Sequence, residues 1–292
     1  MQLGFIGLGT MGTPMATNLI EAGYRLRIWN RSPAVLTPLA ALGAEIALTP
    51  QEVAQGADVL ISMLADDMTV RTTIIETGAL NKLAADAIHI NMATVSVDFA
   101  QEMTRLHKAS GIHYVAAPVV GRVNVAQAGQ LTIFAAGPSH ILDRIQPLFD
   151  VLGKKTWRFG DKPEQANVAK LAVNFMIASA IETMSEASTL VEGYGIVGAD
   201  FLEMITSSLF PVPIYQGYGA AIANQQFEPA GFKLSLGSKD IRLVLEAAEK
   251  MNIPLPIAAL LKDNHLDSMA HGEGHLDWSA LSRVAKRRAA QQ

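Results

Sequence analysis

Short apolar runs alternate with helix-patterned stretches along the first half of the chain. The runs suit buried parallel strands, and the stretches between them repeat apolar residues at helical spacing. We predict strands at Leu3–Ile6, Leu26–Trp29, Val59–Met63, Ile88–Met92, Tyr114–Val119 and Gln130–Ala135. We predict helices at Pro14–Glu21, Ala34–Leu42, Pro50–Gln55, Val70–Glu76, Val97–Ser110 and Ile141–Leu152. Such βαβ alternation is typical of an α/β fold with a doubly wound parallel sheet.

The pattern changes after the turn signal at residues 160–163. Glu164–Glu192 has no glycine or proline and is apolar or small on most faces, so we predict one long, buried helix. No strand pattern follows, and further helices are predicted at Ala199–Ser207, Tyr215–Asn224, Leu234–Met251, Pro256–His271 and Ser279–Arg288. We therefore expect an α/β domain over residues 1–162 and an all-α domain over residues 163–292, joined by the long helix.

Composition narrows the class of protein. The 292 residues are 50% hydrophobic and 17% charged, which is typical of a globular chain with a large core. The net charge is −4 and the only clear basic run is Lys286-Arg287-Arg288, so nucleic acid is not an expected partner. The chain has no cysteine, which excludes disulfides and thiolate chemistry. A strand begins at residue 2 and no apolar run reaches membrane-spanning length, so we expect a soluble cytoplasmic protein without membrane association.

A glycine-rich turn follows the first predicted strand and opens the first helix. Its residues are Gly7, Leu8, Gly9, Thr10, Met11 and Gly12. In this G-x-G-x-x-G pattern Gly7 permits the tight turn, Gly9 lets a pyrophosphate approach the backbone, and Gly12 lets helix and strand pack closely. The helix N-terminus then faces the phosphates with its N–H groups. The turn predicts dinucleotide binding, and the alternative is a glycine-rich turn without a ligand.

The end of the second predicted strand indicates which dinucleotide binds. NAD enzymes usually place a carboxylate here for the ribose 2′-hydroxyl, but this chain has Asn30, Arg31 and Ser32. Arg31 can pair with a 2′-phosphate, and its two neighbours can donate hydrogen bonds to it. We therefore predict NADP as the cofactor. The alternative is a solvated loop arginine.

A lysine and an asparagine share one face of the long predicted helix. Lys170 and Asn174 are four residues apart, so their side chains project from the same side. Burying a lysine costs free energy and lowers its pKa toward the range useful for acid–base chemistry. From the residues alone, the alternative is a lysine whose stem is buried and whose ammonium group reaches the surface.

Three other places carry candidate chemistry. Val120, Gly121 and Arg122 follow a predicted strand, where backbone N–H groups and an arginine could bind a substrate anion. An ordinary tight connection is the alternative. Lys239-Asp240 opens a helical stretch, and either charge could lie at the surface. A loose histidine cluster (His265, His271, His275) fits no metal-binding pattern, so we expect no metal.

Five segments in this order resemble one enzyme family. They are Phe5–Leu19, Asp58–Leu64, Asn91–Thr94, Lys170 with Asn174, and Lys239 with Asp240. Over its whole length the chain is similar to the β-hydroxyacid dehydrogenases, which include 3-hydroxyisobutyrate dehydrogenase, tartronate semialdehyde reductase and the glyoxylate/succinic semialdehyde reductases.

The resemblance implies an architecture and residue roles. A Rossmann domain would be joined through the long helix to an all-α domain through which subunits associate, so we expect a homodimer or homotetramer. Lys170 matches the catalytic lysine and Asn174 its neighbouring asparagine, both at the substrate, and Lys239 matches a lysine near the cofactor. The other implied cofactor contacts are Met63, Leu64, Ala65 and Thr94.

One departure concerns the substrate. The family usually has Ser-Gly-Gly where this chain has Val120-Gly121-Arg122, and a family aspartate upstream is replaced by Ala116. Valine cannot donate a hydrogen bond to a carboxylate. Either Arg122 and backbone N–H groups bind the anion, or the substrate lacks a carboxylate here, which counts against 3-hydroxyisobutyrate itself.

These observations support a main hypothesis and two alternatives. The main one is hydride transfer between NADP(H) and a small β-hydroxy acid or (semi)aldehyde, with Lys170 as general acid and base. NADPH-dependent imine reduction is favoured by Val120 and the apolar stretch Phe210–Tyr215, but the retained lysine counts against it. A binding module without catalysis is the third hypothesis, and the retained Lys170, Asn174 and Lys239 count against it.

Overall fold

The predicted parallel strands form one sheet in the computed structural model, which describes residues 1–290. Six strands pair in parallel in the order β3-β2-β1-β4-β5-β6. Their bounds are β1 Gln2–Ile6, β2 Arg25–Trp29, β3 Glu45–Ile46, β4 Val59–Ser62, β5 Ile88–Asn91 and β6 His113–Ala116. The strand order reverses between β1 and β4, and ligands of doubly wound sheets bind beyond the carboxyl ends of the strands at such a point. The predicted α/β class is confirmed.

A second sheet of three strands was not predicted. It consists of β7 Val119–Val120, β8 Leu131–Ala135 and β9 Gly153–Arg158, with β7 antiparallel and β9 parallel to β8. The single strand predicted at Tyr114–Val119 is therefore wrong, because β6 ends before Pro118, which has no N–H group to donate to a sheet. The strand predicted at Gln130–Ala135 exists, but it joins the second sheet. The β9 strand is mostly exposed, so its sequence lacks the apolar run that marks buried strands.

Helices connect the strands of the first half. They are α1 Gly12–Glu21, α2 Leu36–Ala41, α3 Pro50–Ala54, α4 Asp67–Val70, α5 Val97–Ala109, α6 Val123–Gln127 and α7 Ser139–Leu152. The helix predicted at Val70–Glu76 is instead α4 followed by π-helical turns at Arg71–Glu76. A continuous apolar core includes Phe5 of β1, Leu19 of α1 and Ile145 of α7. This core supports the strand ends that carry the predicted cofactor residues.

The described residues after Leu171 form helices and turns, with one isolated β-bridge between Lys233 and Asp277 and no strand. The helices are α8 Glu164–Glu192, α9 Gly198–Ser207, α10 Pro213–Ala223, α11 Leu234–Lys250, α12 Pro256–Ala270 and α13 Ser282–Arg288. Two 3₁₀ turns, Glu273–His275 and Trp278–Leu281, precede α13. Trp278 is fully buried in the core of this unit and packs where a side chain on Gly237 would lie. The predicted all-α second half is confirmed.

The long helix α8 belongs to both compact units of the chain. The first unit comprises Met1–Lys170 and the second begins at Leu171. The expectation that α8 is buried is only partly right, because an exposed stripe along it includes Val168, Met176 and Leu190. By length and composition α8 could also span a membrane, but 56% of its apolar window is buried inside the protein, as in the core helix of a globular domain.

Candidate functional site

The glycine turn is tightly packed on one side and open on the other. Gly7 has φ +97°, and a Cβ there would lie 2.3 Å from the Met63 carbonyl oxygen. A Cβ on Gly12 would lie 1.9 Å from the Gly7 carbonyl oxygen. Gly9 is exposed and a Cβ there would meet nothing within 4 Å. The turn therefore holds α1 against β1 and leaves space over Gly9 for a ligand.

The start of α1 is available to an anion. No side chain of the described residues caps this helix, and its first turn contains no acidic residue. The N–H groups of a helix N-terminus carry partial positive charge and favour phosphate. Thr10, which is exposed, and Met11 lead into this end.

The end of β2 is tied to the glycine turn by Asn30. Its Oδ1 accepts a hydrogen bond from the Leu8 N–H at 3.0 Å, and its Nδ2 donates to the Ser32 carbonyl oxygen at 3.0 Å. Arg31 and Ser32 are exposed beside this connection. Asn30 thus shapes the turn, a role its sequence position did not reveal, and Arg31 lies at the surface where a 2′-phosphate could reach it.

The carboxyl ends of β4 and β5 carry the other predicted cofactor residues of the first unit. Met63, Leu64 and Ala65 follow β4, and Asp66 then caps α4 by accepting from the Thr69 N–H at 2.8 Å. After β5, Asn91 Oδ1 accepts from the Ala93 N–H at 3.1 Å, which turns the backbone just before the predicted contact at Thr94. These two segments leave neighbouring strands of the sheet side by side.

A buried polar network lies behind these strand ends. Ser62 Oγ is 2.8 Å from His89 Nε2, His89 Nδ1 is 2.8 Å from His107 Nε2, and His107 Nδ1 donates to the Met103 carbonyl oxygen at 2.7 Å. Burial lowers the pKa of His107 to about 4, and burial with the neighbouring His107 lowers that of His89 well below its usual value. Both rings are therefore neutral near pH 7.

The same network continues to the sheet's far strand. Ser62 Oγ lies 3.3 Å from Asn91 Oδ1, and Asn91 Nδ2 donates to the Tyr114 hydroxyl at 3.0 Å. Burial raises the pKa of Tyr114, so it stays a neutral phenol. Sequence reasoning did not predict this network, although a histidine between two isoleucines of a buried strand is a signal that it must have a partner.

The predicted substrate loop is part of the second sheet. Val120 ends β7, Gly121 follows with φ +149°, and Arg122 precedes α6. A Cβ on Gly121 would lie 2.7 Å from Leu131 Cδ2, so this turn also requires glycine. The loop does not follow a strand of the six-stranded sheet, as its sequence position suggested, because β6 has already ended.

Lys170 and Asn174 lie on α8 one turn apart, and both are buried. Lys170 is 8% exposed, so most of its side chain is buried. Asn174 Nδ2 donates to Asp240 Oδ2 at 2.5 Å, and Lys239 Nζ is 3.2 Å from Asp240 Oδ1. The buried Asp240 therefore accepts a hydrogen bond from Asn174 and lies beside the Lys239 ammonium group. Sequence reasoning had left Asp240 as a possible surface charge.

The three C-terminal histidines have structural partners. His265 is buried, donates from Nδ1 to the Leu261 carbonyl oxygen at 2.7 Å, and accepts from Trp278 Nε1 at 2.8 Å. His271 and His275 are exposed. Among the described residues no group of three or more potential ligands is arranged to hold a metal ion.

Two family models match the chain. The NAD binding domain of 6-phosphogluconate dehydrogenase matches residues 2–160, and the NAD-binding domain of NADP-dependent 3-hydroxyisobutyrate dehydrogenase matches residues 165–285.

Relatives match over nearly the full length. The oxidoreductase YfjR of Bacillus subtilis is 42% identical over 98% of this chain and 100% of its own. Glyoxylate/succinic semialdehyde reductase 1 of Arabidopsis thaliana is 30% identical over 98% of this chain and 99% of its own.

Solved structures show the same architecture. Mycobacterium tuberculosis 3-hydroxyisobutyrate dehydrogenase with L-serine has a TM-score of 0.87 and 27% identity, over 97% of this chain and 98% of that chain. An imine reductase from Pseudomonas sp. has a TM-score of 0.63 and 22% identity, over 97% of this chain and 98% of that chain, a likeness that concerns the fold alone.

Proposed function

The chain belongs to the β-hydroxyacid dehydrogenase family, and we propose that it transfers hydride between NADP(H) and a small β-hydroxy acid or semialdehyde. Members of this family are NAD(P)-dependent oxidoreductases. The finer assignment rests chiefly on one observation: Lys170 is buried one helical turn from Asn174, whose amide is held by Asp240.

The residues of the first unit fit a dinucleotide. The open space over Gly9 and the uncapped start of α1 suit a pyrophosphate, and the segments after β4 and β5 suit the nicotinamide end. When bound, the nicotinamide cofactor supplies or accepts the hydride.

Proton transfer falls to Lys170. During reduction its ammonium group donates a proton to the oxygen that becomes an alcohol, and during oxidation its amine accepts that proton. Asn174 orients the substrate or the lysine, and Asp240 restricts the rotation of the asparagine by accepting from its Nδ2. Burial keeps competing water away from the lysine and strengthens each of these interactions.

Replacing Lys170 tests this role. In Lys170→Ala we expect kcat to fall by about 10²- to 10⁴-fold, because the reacting oxygen loses its proton donor. NADPH affinity, measured by fluorescence titration, should stay within about twofold, which is under 0.5 kcal/mol. Lys262→Ala, which removes an exposed lysine from α12, is the matched control. Near-normal turnover in Lys170→Ala would refute the assignment.

NADP rather than NAD is proposed from Arg31. It is exposed beside the glycine turn, and the segment Asn30–Ser32 contains no carboxylate that would repel a 2′-phosphate. We expect Arg31→Ala to raise KM for NADPH by about 10- to 100-fold and to leave KM for NADH nearly unchanged, because only NADPH carries the phosphate. Arg25→Ala, which removes an exposed arginine at the start of β2, is the control. Equal effects on both cofactors would contradict the proposal.

Imine reduction is the second candidate. The observation that favours it is Val120, an apolar residue where the family usually has serine. Initial rates with glyoxylate, succinic semialdehyde and tartronate semialdehyde should be compared with rates on cyclohexanone plus methylamine and on a preformed cyclic imine. We expect turnover of the carboxylate-bearing aldehydes; turnover confined to the amine mixture or the imine would make C=N reduction the function.

We also propose a cytoplasmic homodimer or homotetramer that acts on small molecules, without nucleic-acid or membrane partners. Apolar side chains at the surface of the second unit support self-association, among them Met176, Met204 and Leu209. Cell fractionation tests the location, and recovery of the protein with membranes would contradict it.

A further inference from the structure

A surface cavity of about 670 Å³ lies within the second unit, and the proposed mechanism does not use it. It is bounded by the C-terminal half of α8, by α12 and by α13. Its polar lining includes Glu182, Glu186, Asn264 and Arg288, and its apolar lining includes Leu190 and Val284.

Glu182 carries a carboxylate although it is only 5% exposed. Its Oε1 accepts a hydrogen bond from Asn264 Nδ2 at 2.5 Å. Its Oε2 and the Asn264 Oδ1 are both buried and have no hydrogen-bond partner among the described residues. A buried acceptor without a donor costs about 1–3 kcal/mol, and more when it is charged. A ligand group with several N–H donors could satisfy both acceptors of the hydrogen-bonded pair Glu182–Asn264 at once.

The surrounding charges do not supply that group. Glu186 on α8 also lines the cavity and adds negative charge. Arg288 on α13 lies 3.3 Å from Asp267 Oδ2 through its Nη2, so its guanidinium is directed to another carboxylate. Asn264 on α12 is neutral. Leu190 and Val284 offer an apolar wall for a hydrocarbon stem.

We propose that this cavity binds a small organic cation, a primary ammonium or a guanidinium on a short apolar stem, through Glu182 Oε2 and Asn264 Oδ1. The N–H donors of the cation satisfy both acceptors, and its charge balances the buried carboxylate. The stem lies along Leu190 and Val284. The proposed redox chemistry uses none of these four residues.

A proton competes with the cation for Glu182. Burial and the neighbouring Glu186 raise the pKa of Glu182 to about 7, against the opposing effects of Asn264 and Arg288. Once protonated, the carboxyl can form a closed acid–amide pair with Asn264 and no longer needs a ligand. The cation therefore binds the ionised form, which predominates about one pH unit above this pKa.

Binding is tested on the full-length protein without NADPH or substrate, so that the result is independent of the proposed reaction. The probes are n-butylammonium and n-butylguanidinium, with n-butanol as the uncharged control, followed by thermal shift and calorimetry at about pH 8. We expect a saturable rise in Tm with both cations and none with n-butanol. Affinity should fall about tenfold at about pH 6, because the proton occupies Glu182.

Two variants distinguish the effect of Glu182 from that of another carboxylate in the same cavity. Glu182→Gln should weaken cation binding by about tenfold or more, whereas Glu186→Gln, which removes the exposed carboxylate of the same cavity, should weaken it by less than about threefold. Both variants should keep wild-type NADPH turnover. The proposal fails if wild-type protein shows no saturable binding, if n-butanol binds equally, or if Glu182→Gln binds as wild type does.

Two results would identify another role for the cavity. Absence of cation binding together with a lower molar mass of Glu182→Gln in solution would mean that a lysine or arginine of a second copy occupies it. If Glu182→Gln fails to fold, the pH dependence of cation affinity in the wild-type protein tests the proposal instead. Equal affinity for the cations at about pH 6 and about pH 8 would contradict it.

Discussion

At the scale of single residues, the pair of buried histidines behind β4 and β5 makes stability depend on pH. His107 is fully buried and its folded-state pKa is about 4, below the value near 6.5 expected in the unfolded chain. Between these values the unfolded chain binds the proton more tightly. The contribution of neutral His107 to the stability of the folded state is therefore complete above about pH 6.5 and is lost as the pH falls toward about 4.

We predict that protonation of His107 in the unfolded chain lowers the free energy of unfolding by up to about 3 kcal/mol as the pH falls from about 6.5 to about 4. Urea unfolding at several pH values measures it. In His107→Gln, whose amide oxygen can still accept from His89, the acid-induced loss should be smaller. His113→Gln, a partly exposed histidine of β6, should retain the wild-type profile. Identical profiles for His107→Gln and wild type would contradict the prediction.

Glu182 changes the free energy of unfolding with pH in the opposite direction to His107, over a similar pH range. Its folded-state pKa of about 7 exceeds its unfolded value, so the folded state binds the proton more tightly and stability falls as the pH rises through about 4.5 to 7. This contribution is the same in wild type and His107→Gln and cancels in their comparison.

At the scale of elements, two glycines at the junction of β1 and α1 have different roles: one is needed for packing and the other leaves room for a ligand. Gly12 has no room for a methyl group because the Gly7 carbonyl oxygen would be 1.9 Å away. Gly9 has open space and is exposed. The two glycines belong to one motif, yet only one of them is required by the packing of the protein itself.

We therefore predict different losses for two alanine variants. Gly12→Ala should lower the free energy of unfolding by more than about 2 kcal/mol, because α1 must move away from the turn. Gly9→Ala should change it by less than about 1 kcal/mol but weaken NADPH binding at least about tenfold, because the methyl group occupies the space of the pyrophosphate. Denaturant titration and NADPH fluorescence measure the two effects.

The control for these variants is Gly217→Ala on α10, where a Cβ would also meet nothing within 4 Å. It should keep wild-type NADPH affinity. Wild-type NADPH affinity in Gly9→Ala would mean that the pyrophosphate does not approach the backbone at this turn.

At the scale of the whole molecule, several large apolar side chains of the second unit are exposed. Met176 of α8 is 68% exposed, and Leu209, just beyond the end of α9, is 71% exposed. Where such side chains form a contiguous patch, they mark an association surface. This is why a homo-oligomer is the proposed state.

We predict a molar mass of two or four times the 31.2 kDa subunit in light scattering coupled to gel filtration. Met176→Glu should lower this mass, because burying a charge at an interface without a partner is costly. Met68→Glu, an equally exposed methionine of α4 in the first unit, is the control and should keep the wild-type mass. A monomeric wild-type protein would contradict the proposed assembly.

The sequence by itself determined the fold class, the glycine turn and most helices. These features depend on local spacing. Apolar runs predict β1, β2, β4 and β5, and helical periodicity between glycine and proline breaks predicts α8 with its observed bounds. The position of Lys170 and Asn174 on one helix face follows from the same periodicity.

Only the tertiary structure decided the second sheet, the buried histidine network and the role of Asp240. Asp240 bonds to Asn174 across 66 residues of chain, and Ser62 reaches His89 across 27. No local pattern specifies which distant polar groups meet in a core, because the requirement that each buried donor and acceptor be satisfied is met by whichever partner the packing brings near. For the same reason, the cavity beside Glu182 exists only once α8, α12 and α13 have packed together.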